Sequence, residues 1–238
     1  MLKSVVGRAL APLAAGVGSV QLVRADRPTV VLTYDDGPEP GSTEPVLAAL
    51  ADAGVTATFF VLVRRAMEQR ALLNDVLAAG HEIGLHGYDH IRLTTLPATQ
   101  VYRRTRDARR QLEDLCGRPV RWFRPPYGAQ VASTWTAIRA AGLTPVVWSR
   151  FAGDWVDEDV QKLAGQALEG IGDGDVLLLH DGFANAADGA DDGPAPTFDR
   201  GALSRLVLDG LAERGLAAAS LGDALAHGSS VRNIWLVR

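Results

Sequence analysis

The segment TVVLTYDDGP, residues 29–38, is a strand-like apolar run that ends in two adjacent aspartates and a Gly-Pro turn. Successive side chains of a strand point to opposite faces, so Asp35 and Asp36 can share one site only where the chain leaves the strand. Ionised aspartates are seldom buried without a counter-charge or a metal ion. The segment therefore predicts a buried strand with a polar site at its end.

Composition narrows the class of protein. The 238 residues suit a single α/β barrel, and a hydrophobic content of 47% is enough for a sizeable core. The formal net charge of −4 argues against a nucleic-acid partner, and we interpret the arginine-rich run 102–110 as a solvated helix face. Cys116 is the only cysteine, which excludes an intramolecular disulfide and a thiolate cluster.

Strand-like and helical patterns alternate along most of the chain. The strand candidates are 29–34, 57–63, 82–85, 120–123, 145–148, 176–179 and 216–219. The helix candidates are 43–53, 71–79, 99–115, 134–141, 159–168 and 202–214, and several end at a glycine. About seven such units in one domain favour a distorted or incomplete (β/α) barrel with about seven parallel strands over a doubly wound sheet, and the glycine-rich fingerprint of a dinucleotide fold is also absent.

The two ends of the chain flank this repetition. We predict an N-terminal extension at 1–28, a catalytic domain at 29–226 and a C-terminal tail at 227–238 whose Trp235 docks on the body. The uncharged run 9–23 fits either a docked segment or a weak signal or peripheral anchor, so localisation stays open between cytoplasmic, membrane-peripheral and secreted. No stretch is long and apolar enough to span a bilayer, and the oligomeric state is not predicted. The loop 183–197 is expected to form a rim or lid.

Polar clusters follow the predicted strands. They are Asp35-Asp36, 86–90, 124–128, Asp154-Trp155 and His180-Asp181. In (β/α) barrels the carboxyl ends of the strands carry the active site. Five polar clusters at the carboxyl ends of the strands therefore predict an enzyme active site at that end of the barrel.

The histidine pair His86 and His90 indicates a metal. The two imidazoles are four residues apart and can converge on one cation. With one carboxylate of the Asp35-Asp36 pair they make three ligands, which leaves open positions as catalytic zinc requires. By contrast, we expect His81 and His227 to be structural or solvated.

The ordered motifs resemble the polysaccharide deacetylases of the NodB-homology type, carbohydrate esterase family four. That family's pattern of T-[FY]-D-D-G-P, H-[ST]-x-x-H, R-x-P-Y-G, D-W and L-x-H is matched at 33–38, 86–90, 124–128, 154–155 and 178–180. The resemblance covers roughly residues 29–226.

The resemblance implies a role for each matched residue. Asp36, His86 and His90 would bind one divalent metal, zinc first, with cobalt, nickel or manganese as alternatives. Asp35 would be the general base, oriented by Arg124, and His180 the general acid, tuned by Asp154. The backbone amide of Tyr127 would help to bind the oxyanion, while Trp155 and Leu178 would wall the pocket for the acetyl methyl group.

The implied activity is hydrolysis of a linear amide that is not a peptide bond. A metal-bound water would remove N-acetyl groups from an amino-sugar glycan or oligosaccharide, since a bound zinc ion lowers the pKa of water to about 7. The leaving amine needs a proton, which suits histidine because its ordinary pKa is about 6.5. The expected partner is an N-acetylated carbohydrate, and peripheral membrane contact stays open.

One position departs from the family pattern. Gly87 stands where Ser or Thr is usual, which removes a hydroxyl thought to brace the ligand loop but removes no ligand. Residues 81–90 also resemble the lipid-linked formamido-sugar deformylases of the same superfamily. Three alternatives therefore remain: an O-acetyl esterase on xylan-like glycans, a deformylase or deacetylase of a lipid-linked amino sugar, and a catalytically dead glycan-binding protein.

Overall fold

The computed structural model describes residues 17–190 and 193–237. The strands are β1 Ser19–Ala25, β2 Thr29–Asp35, β3 Thr58–Leu62, β4 Glu82–Gly87, β5 Trp122–Phe123, β6 Thr144–Pro145, β7 Arg150–Phe151, β8 Val176–His180, β9 Ala217–Ala219 and β10 Gly228–Asn233. The helices are α1 Thr43–Ala53, α2 Val63–Glu68, α3 Arg70–Ala78, α4 Ala98–Cys116, α5 Ala132–Ala140, α6 Val160–Leu168, α7 Arg200–Glu213 and α8 Leu221–Ala226. Short 3-10 helices cover Leu93–Thr95, Pro126–Gly128 and Ala186–Asp188.

The main sheet is parallel and forms an incomplete barrel. Its strands run in the order β6-β5-β4-β3-β2-β8-β7, and β9 pairs with the start of β2. Strand β1 contacts this sheet at two places: Val147 N donates to Val20 O just after β6, and Val23 N donates to Gly174 O just before β8. The fold therefore confirms the predicted distorted (β/α) barrel.

Strand β2 lies at the centre of this sheet, between β3 and β8. All seven of its residues are buried, and Val30 and Leu32 belong to the main core cluster. A parallel strand covered on both faces is expected to be a nearly continuous apolar run, which is how 29–34 reads. Packing on both faces of β2 thus fixes the position of its last residue, Asp35.

The predicted helices agree with the structure to within two residues at each end, and α1 has the predicted bounds. Gly54 and Gly117 adopt the left-handed conformation at the ends of α1 and α4, as the sequence pattern indicates. The short helices α2 and α8 and the two-residue strand β7 were not predicted. Their runs are too short for a periodic pattern to separate them from loops.

The first and last strands of the described residues pair with each other. Strands β1 and β10 pair antiparallel from Ser19 with Asn233 to Ala25 with Gly228. The predicted boundaries of the extension and tail remain predictions, but both segments contribute a strand to one small sheet. Of the run 9–23 considered as a signal or anchor, residues 9–16 lie outside the described residues. In the part of the chain that is described, helices are either too short or too polar to cross a bilayer.

Candidate metal-dependent active site

Asp35 and Asp36 reach the same pocket because the backbone turns sharply between them. Asp35 is the last residue of β2, whereas Asp36 has a φ of 76°, a left-handed conformation that few non-glycine residues adopt. This turn interrupts the alternation of the strand, and both carboxylates line one cavity. The prediction that the pair could share a site at the strand end is confirmed.

Asp36, His86 and His90 form a buried cluster. Asp36 Oδ1 lies 3.4 Å from His86 Nε2 and 3.5 Å from His90 Nε2. One ligand atom from each of the three residues lies within 4.8 Å of the others. This spacing suits three ligands of a single ion.

The donor set of this cluster fits a divalent cation. His86 Nδ1 donates a hydrogen bond of 2.8 Å to Arg124 O, so in the neutral imidazole the lone pair of Nε2 faces Asp36. Asp36 Oδ1 is buried and accepts no hydrogen bond from the described residues. A buried carboxylate oxygen beside two imidazole nitrogens needs a positive charge between them, which either a metal ion or a proton on a ring supplies.

The charge state of Asp36 supports the same conclusion. Burial alone would raise the pKa of this carboxyl group, but His90 and then His86 outweigh that effect and hold the pKa far below its usual range. Asp36 Oδ2 accepts a hydrogen bond from Ala184 N at 3.3 Å, which orients the group. Asp36 is therefore an ionised, oriented carboxylate at neutral pH.

Asp35 is paired with Arg124 instead. Arg124 is fully buried, and its Nη1 donates to Asp35 Oδ1 at 2.7 Å and to Thr33 Oγ1 at 2.8 Å. Its guanidinium lies over the Phe60 ring, 4.2 Å from the centroid. Burial lowers the pKa of Arg124 and the adjacent Asp35 opposes that effect. The second oxygen of Asp35 lies 3.9 Å from His86 Nε2, beside the metal cluster rather than within it.

His180 and Asp154 form a second pair. His180 is the last residue of β8, and its Nδ1 lies 2.9 Å from Asp154 Oδ1, while its backbone N donates to Asp154 Oδ2 at 2.8 Å. Burial would lower the pKa of His180, but Asp154 raises it to about 9. With Nδ1 bound to Asp154, Nε2 is the ring nitrogen available to the pocket.

Arg200, at the start of α7, completes this pair. Its Nη1 lies 3.3 Å from Asp154 Oδ2 and donates to His180 O at 3.1 Å. Burial would raise the pKa of Asp154, but His180 and Arg200 together hold it below its usual range. The sequence prediction missed Arg200, because no motif surrounds it and its partners lie on other elements.

The charged groups surround a cavity of about 430 Å³. Asp35, Asp36, His86, His90 and His180 line it together with Tyr127, Trp155 and Leu178, while Arg124 and Asp154 lie buried behind Asp35 and His180. The structure thus brings all ten predicted site residues together. It adds Arg92, Trp148, Val156 and Phe183 to the wall, which the sequence prediction did not include. A larger groove of about 620 Å³ lies between α4 and α5, but its lining carries neither the metal cluster nor an acid-base pair.

Asp181 is a further buried carboxylate beside the site. It accepts hydrogen bonds from Thr43 Oγ1 at 2.7 Å and Gly37 N at 3.3 Å. Burial raises its pKa to about 7. Asp181 was grouped with His180 from sequence but given no role; the structure places it against the turn that carries Asp36.

The loop after β8 is anchored at its start. Arg65 on α2 donates to Phe183 O at 2.6 Å and to Asp188 Oδ2 at 2.7 Å, and it is buried. The same loop supplies Ala184 N to Asp36. Phe183, Ala184 and Asp188 are thus held at the edge of the site, as the rim in the rim-or-lid expectation for 183–197 requires.

Gly87 occupies a position that excludes a side chain. Its φ is 140°, and a Cβ there would lie 2.6 Å from Asp89 O. The Ser or Thr that the family usually carries does not fit this backbone. The two histidines converge on Asp36 although residue 87 between them carries no side chain.

Comparison with known proteins gives a consistent result. The sequence model described as polysaccharide deacetylase matches residues 23–146. A chitooligosaccharide deacetylase of Azorhizobium caulinodans is 34% identical over 167 residues, which are 70% of this chain and 80% of that protein. A peptidoglycan-N-acetylglucosamine deacetylase of Listeria monocytogenes is 32% identical over 183 residues, which are 76% of this chain but 38% of that protein.

A solved structure agrees with these sequence relatives. The family 4 carbohydrate esterase from Streptomyces lividans, in complex with acetate, superposes with a TM-score of 0.68 at 28% identity, covering 82% of this chain and 93% of that one. The likeness extends well beyond the residues that the family model matches.

Proposed function

This chain belongs to the polysaccharide deacetylase family, and we propose that it is a metal-dependent hydrolase that removes N-acetyl groups from an amino-sugar glycan or oligosaccharide. The observation that carries the proposal is the arrangement around one cavity: an Asp-His-His cluster, a carboxylate beside it and a raised-pKa histidine. Its relatives act on the amide bonds of N-acetyl sugars.

Asp36, His86 and His90 would hold the metal, for which we propose zinc. A divalent ion bound there would lower the pKa of a water molecule and polarise the acyl carbonyl. The protein's own contribution is to fix the three ligand groups: Arg124 O holds the ring of His86, and Ala184 N holds the carboxylate of Asp36. Such outer contacts set the orientation of the ligands.

Asp35 is the general base of the proposed mechanism. Its Oδ1 is occupied by Arg124, which leaves Oδ2 on the side of the metal cluster as the atom that accepts the proton of the attacking water. Because Arg124 is fully buried, the ion pair is shielded from solvent and its geometry is restricted.

The tetrahedral oxyanion needs a donor, and the backbone amide of Tyr127 is the proposed one. Tyr127 lines the cavity and has a φ of 62°, the left-handed conformation. A backbone donor fixed before the reaction stabilises the developing charge by roughly 3 to 4 kcal/mol in other enzymes.

His180 is the proposed general acid. Below about pH 9 its imidazolium is populated, because the Asp154 carboxylate stabilises the charged form. It can therefore protonate the amine as the carbon-nitrogen bond breaks. Trp155, whose ring lies edge-on to that of His180 at 6.0 Å, and the buried Leu178 form the apolar wall for the acetyl methyl group.

The test is a screen of acetate release by the metal-loaded protein. The substrates are N-acetylglucosamine oligomers, peptidoglycan fragments, acetylated xylan and a lipid-linked N-acyl sugar, with formate measured as well for the last. We expect acetate from N-acetylated glycans and faster turnover there than on xylan esters. Faster release from xylan would favour the esterase alternative. Bound metal with no release at any pH would contradict catalysis and favour a glycan-binding protein.

A further inference from the structure

The last described residues of the chain contact the loop that carries Tyr127. After β10 the chain crosses to this loop, and Trp235 Nε1 donates a hydrogen bond of 2.8 Å to Gly128 O. The Trp235 ring also packs edge-on to Trp148, a wall of the cavity, with ring centroids 5.4 Å apart. One residue near the C-terminus thus touches both the loop and the pocket wall.

Gln130 makes a second connection between the same segments. Its backbone exchanges two hydrogen bonds with Val237, of 2.6 and 2.8 Å. Its side-chain Nε2 donates to Trp235 O at 2.9 Å and to Ser19 Oγ at 3.0 Å. The loop is therefore tied to the segment 234–237 and to β1 at once.

The loop needs such support because its backbone is unusual. Tyr127 and Gly128 both have positive φ angles, of 62° and 60°. Two consecutive left-handed residues do not continue a helix or a strand, and a non-glycine residue there costs conformational energy. Gly128 also fits closely against the Trp148 ring, since a Cβ would lie 2.6 Å from it. Displacement of either tryptophan would shift this loop.

We propose that Trp235 is a positioning residue, which together with the Gln130–Val237 pairing fixes the Tyr127-Gly128 backbone so that the Tyr127 amide is held ready for the oxyanion. This inference rests on the proposed function for the role of that amide. Trp235 and Val237, which supply this support, lie outside residues 23–146, where the family model matches. The C-terminal segment therefore acts on catalysis without touching substrate.

The test compares Trp235→Phe, which keeps a ring but removes the donor, with Leu236→Ala, an adjacent residue whose side chain is exposed. For each variant we would measure the amide hydrogen exchange of the peptide 124–131 and the amount of bound metal. We would also measure kcat and KM on an amide and on an activated ester. For Trp235→Phe we expect faster exchange in this peptide and a fall in kcat of the order of ten- to a hundredfold on both substrates, with KM and bound metal unchanged. Leu236→Ala should match the wild type throughout.

Both substrates should respond alike because both pass through an oxyanion. Loss on the amide alone would place the effect on proton donation and overturn the proposal, as would unchanged exchange in 124–131 or faster exchange with unchanged kcat. If Trp235→Phe does not fold, Gln130→Ala removes the side-chain hydrogen bonds to Trp235 O and Ser19 Oγ and must give the same pattern. If the wild type releases no acetate, the proposed function fails, while the exchange result still decides whether Trp235 holds the loop.

Discussion

The two sides of the pocket differ in how their charges are balanced. On the metal side, Asp35 is paired with the buried guanidinium of Arg124, and Asp36 faces the imidazoles of His86 and His90. On the acid side, Asp154 is paired with both His180 and Arg200. The metal side is therefore short of one cation, whereas the acid side is complete from the chain's own residues. Because of this difference, removal of the metal should disturb the arrangement of the metal ligands and leave the contacts of Asp154 with His180 and Arg200 in place.

The largest expected effect comes from Asp35→Asn on the metal side. The amide cannot accept the proton of the attacking water, so turnover should fall by about 10³-fold or more. Because Asp35 lies beside the cluster rather than in it, metal content should stay near that of the wild type. Turnover is measured as acetate release, and metal by elemental analysis of the dialysed protein.

The matched control is Asp36→Asn, which makes the same replacement of a carboxylate oxygen by an amide nitrogen at the neighbouring residue. It should lose the metal as well as activity, since Asp36 Oδ1 is the atom nearest both imidazoles. Retention of metal in Asp36→Asn together with its loss in Asp35→Asn would reverse the roles assigned to the two aspartates.

His180→Ala tests the acid side. An amine leaves poorly without a proton, so amide hydrolysis should fall by roughly 10²- to 10³-fold, while an activated ester should lose much less. Metal binding should not change, because His180 is paired with Asp154 and not with the cluster. The exposed His227 provides the control His227→Ala, which should behave as wild type. Equal losses on amide and ester would contradict the acid role.

Asp154→Asn should change the titration of His180. Burial lowers the pKa of His180, but Asp154, with smaller contributions from Asp36 and Asp35, raises it from an ordinary 6.5 to about 9. In the metal-free protein, NMR titration should therefore find a lower pKa for His180 in Asp154→Asn than in the wild type, with the His180 resonance identified from His180→Ala. The exposed neighbour supplies the control Asp157→Asn. A His180 pKa that stays near 9 would mean that another group holds the proton.

The same shift has a consequence for stability. The folded pKa of His180 lies above its unfolded value, so the stabilisation is fully present below about pH 6.5 and is lost as the pH rises to about 9. Wild-type protein should lose more unfolding free energy over this interval than Asp154→Asn, as urea denaturation at several pH values will show. Activity on amides should also decline over the alkaline part of this range, at a lower pH when a metal is bound, because the ion's positive charge disfavours the imidazolium.

The sequence predicted the residues of the metal cluster and the base more completely than the residues that hold the two sides of the pocket in place. Asp35, Asp36, His86 and His90 lie in short motifs at strand ends, and β2 is recognisable as a buried parallel strand because its run is continuously apolar. Arg200 reaches His180 across 20 positions and Trp235 reaches Gly128 across 107, so no local pattern links them. Strand β1 was missed because its burial alternates irregularly and its partner β10 lies at the other end of the chain.

Gly87→Ser should have the smallest effect of these substitutions. It tests the difference between the two sides of the pocket because it should act on the metal side alone. The substitution installs the residue that the family usually carries, but its Cβ would lie 2.6 Å from Asp89 O at a φ of 140°, so the segment between the ligands His86 and His90 must shift. We expect metal affinity to fall about tenfold, measured by competition with a chelator, while the pKa of His180 in the metal-free protein stays unchanged. Gly165→Ser, at a helical glycine with open space around it, is the control and should alter neither quantity. Affinity equal to or above that of the wild type would show that the loop accommodates the hydroxyl and that Gly87 is not required by this backbone.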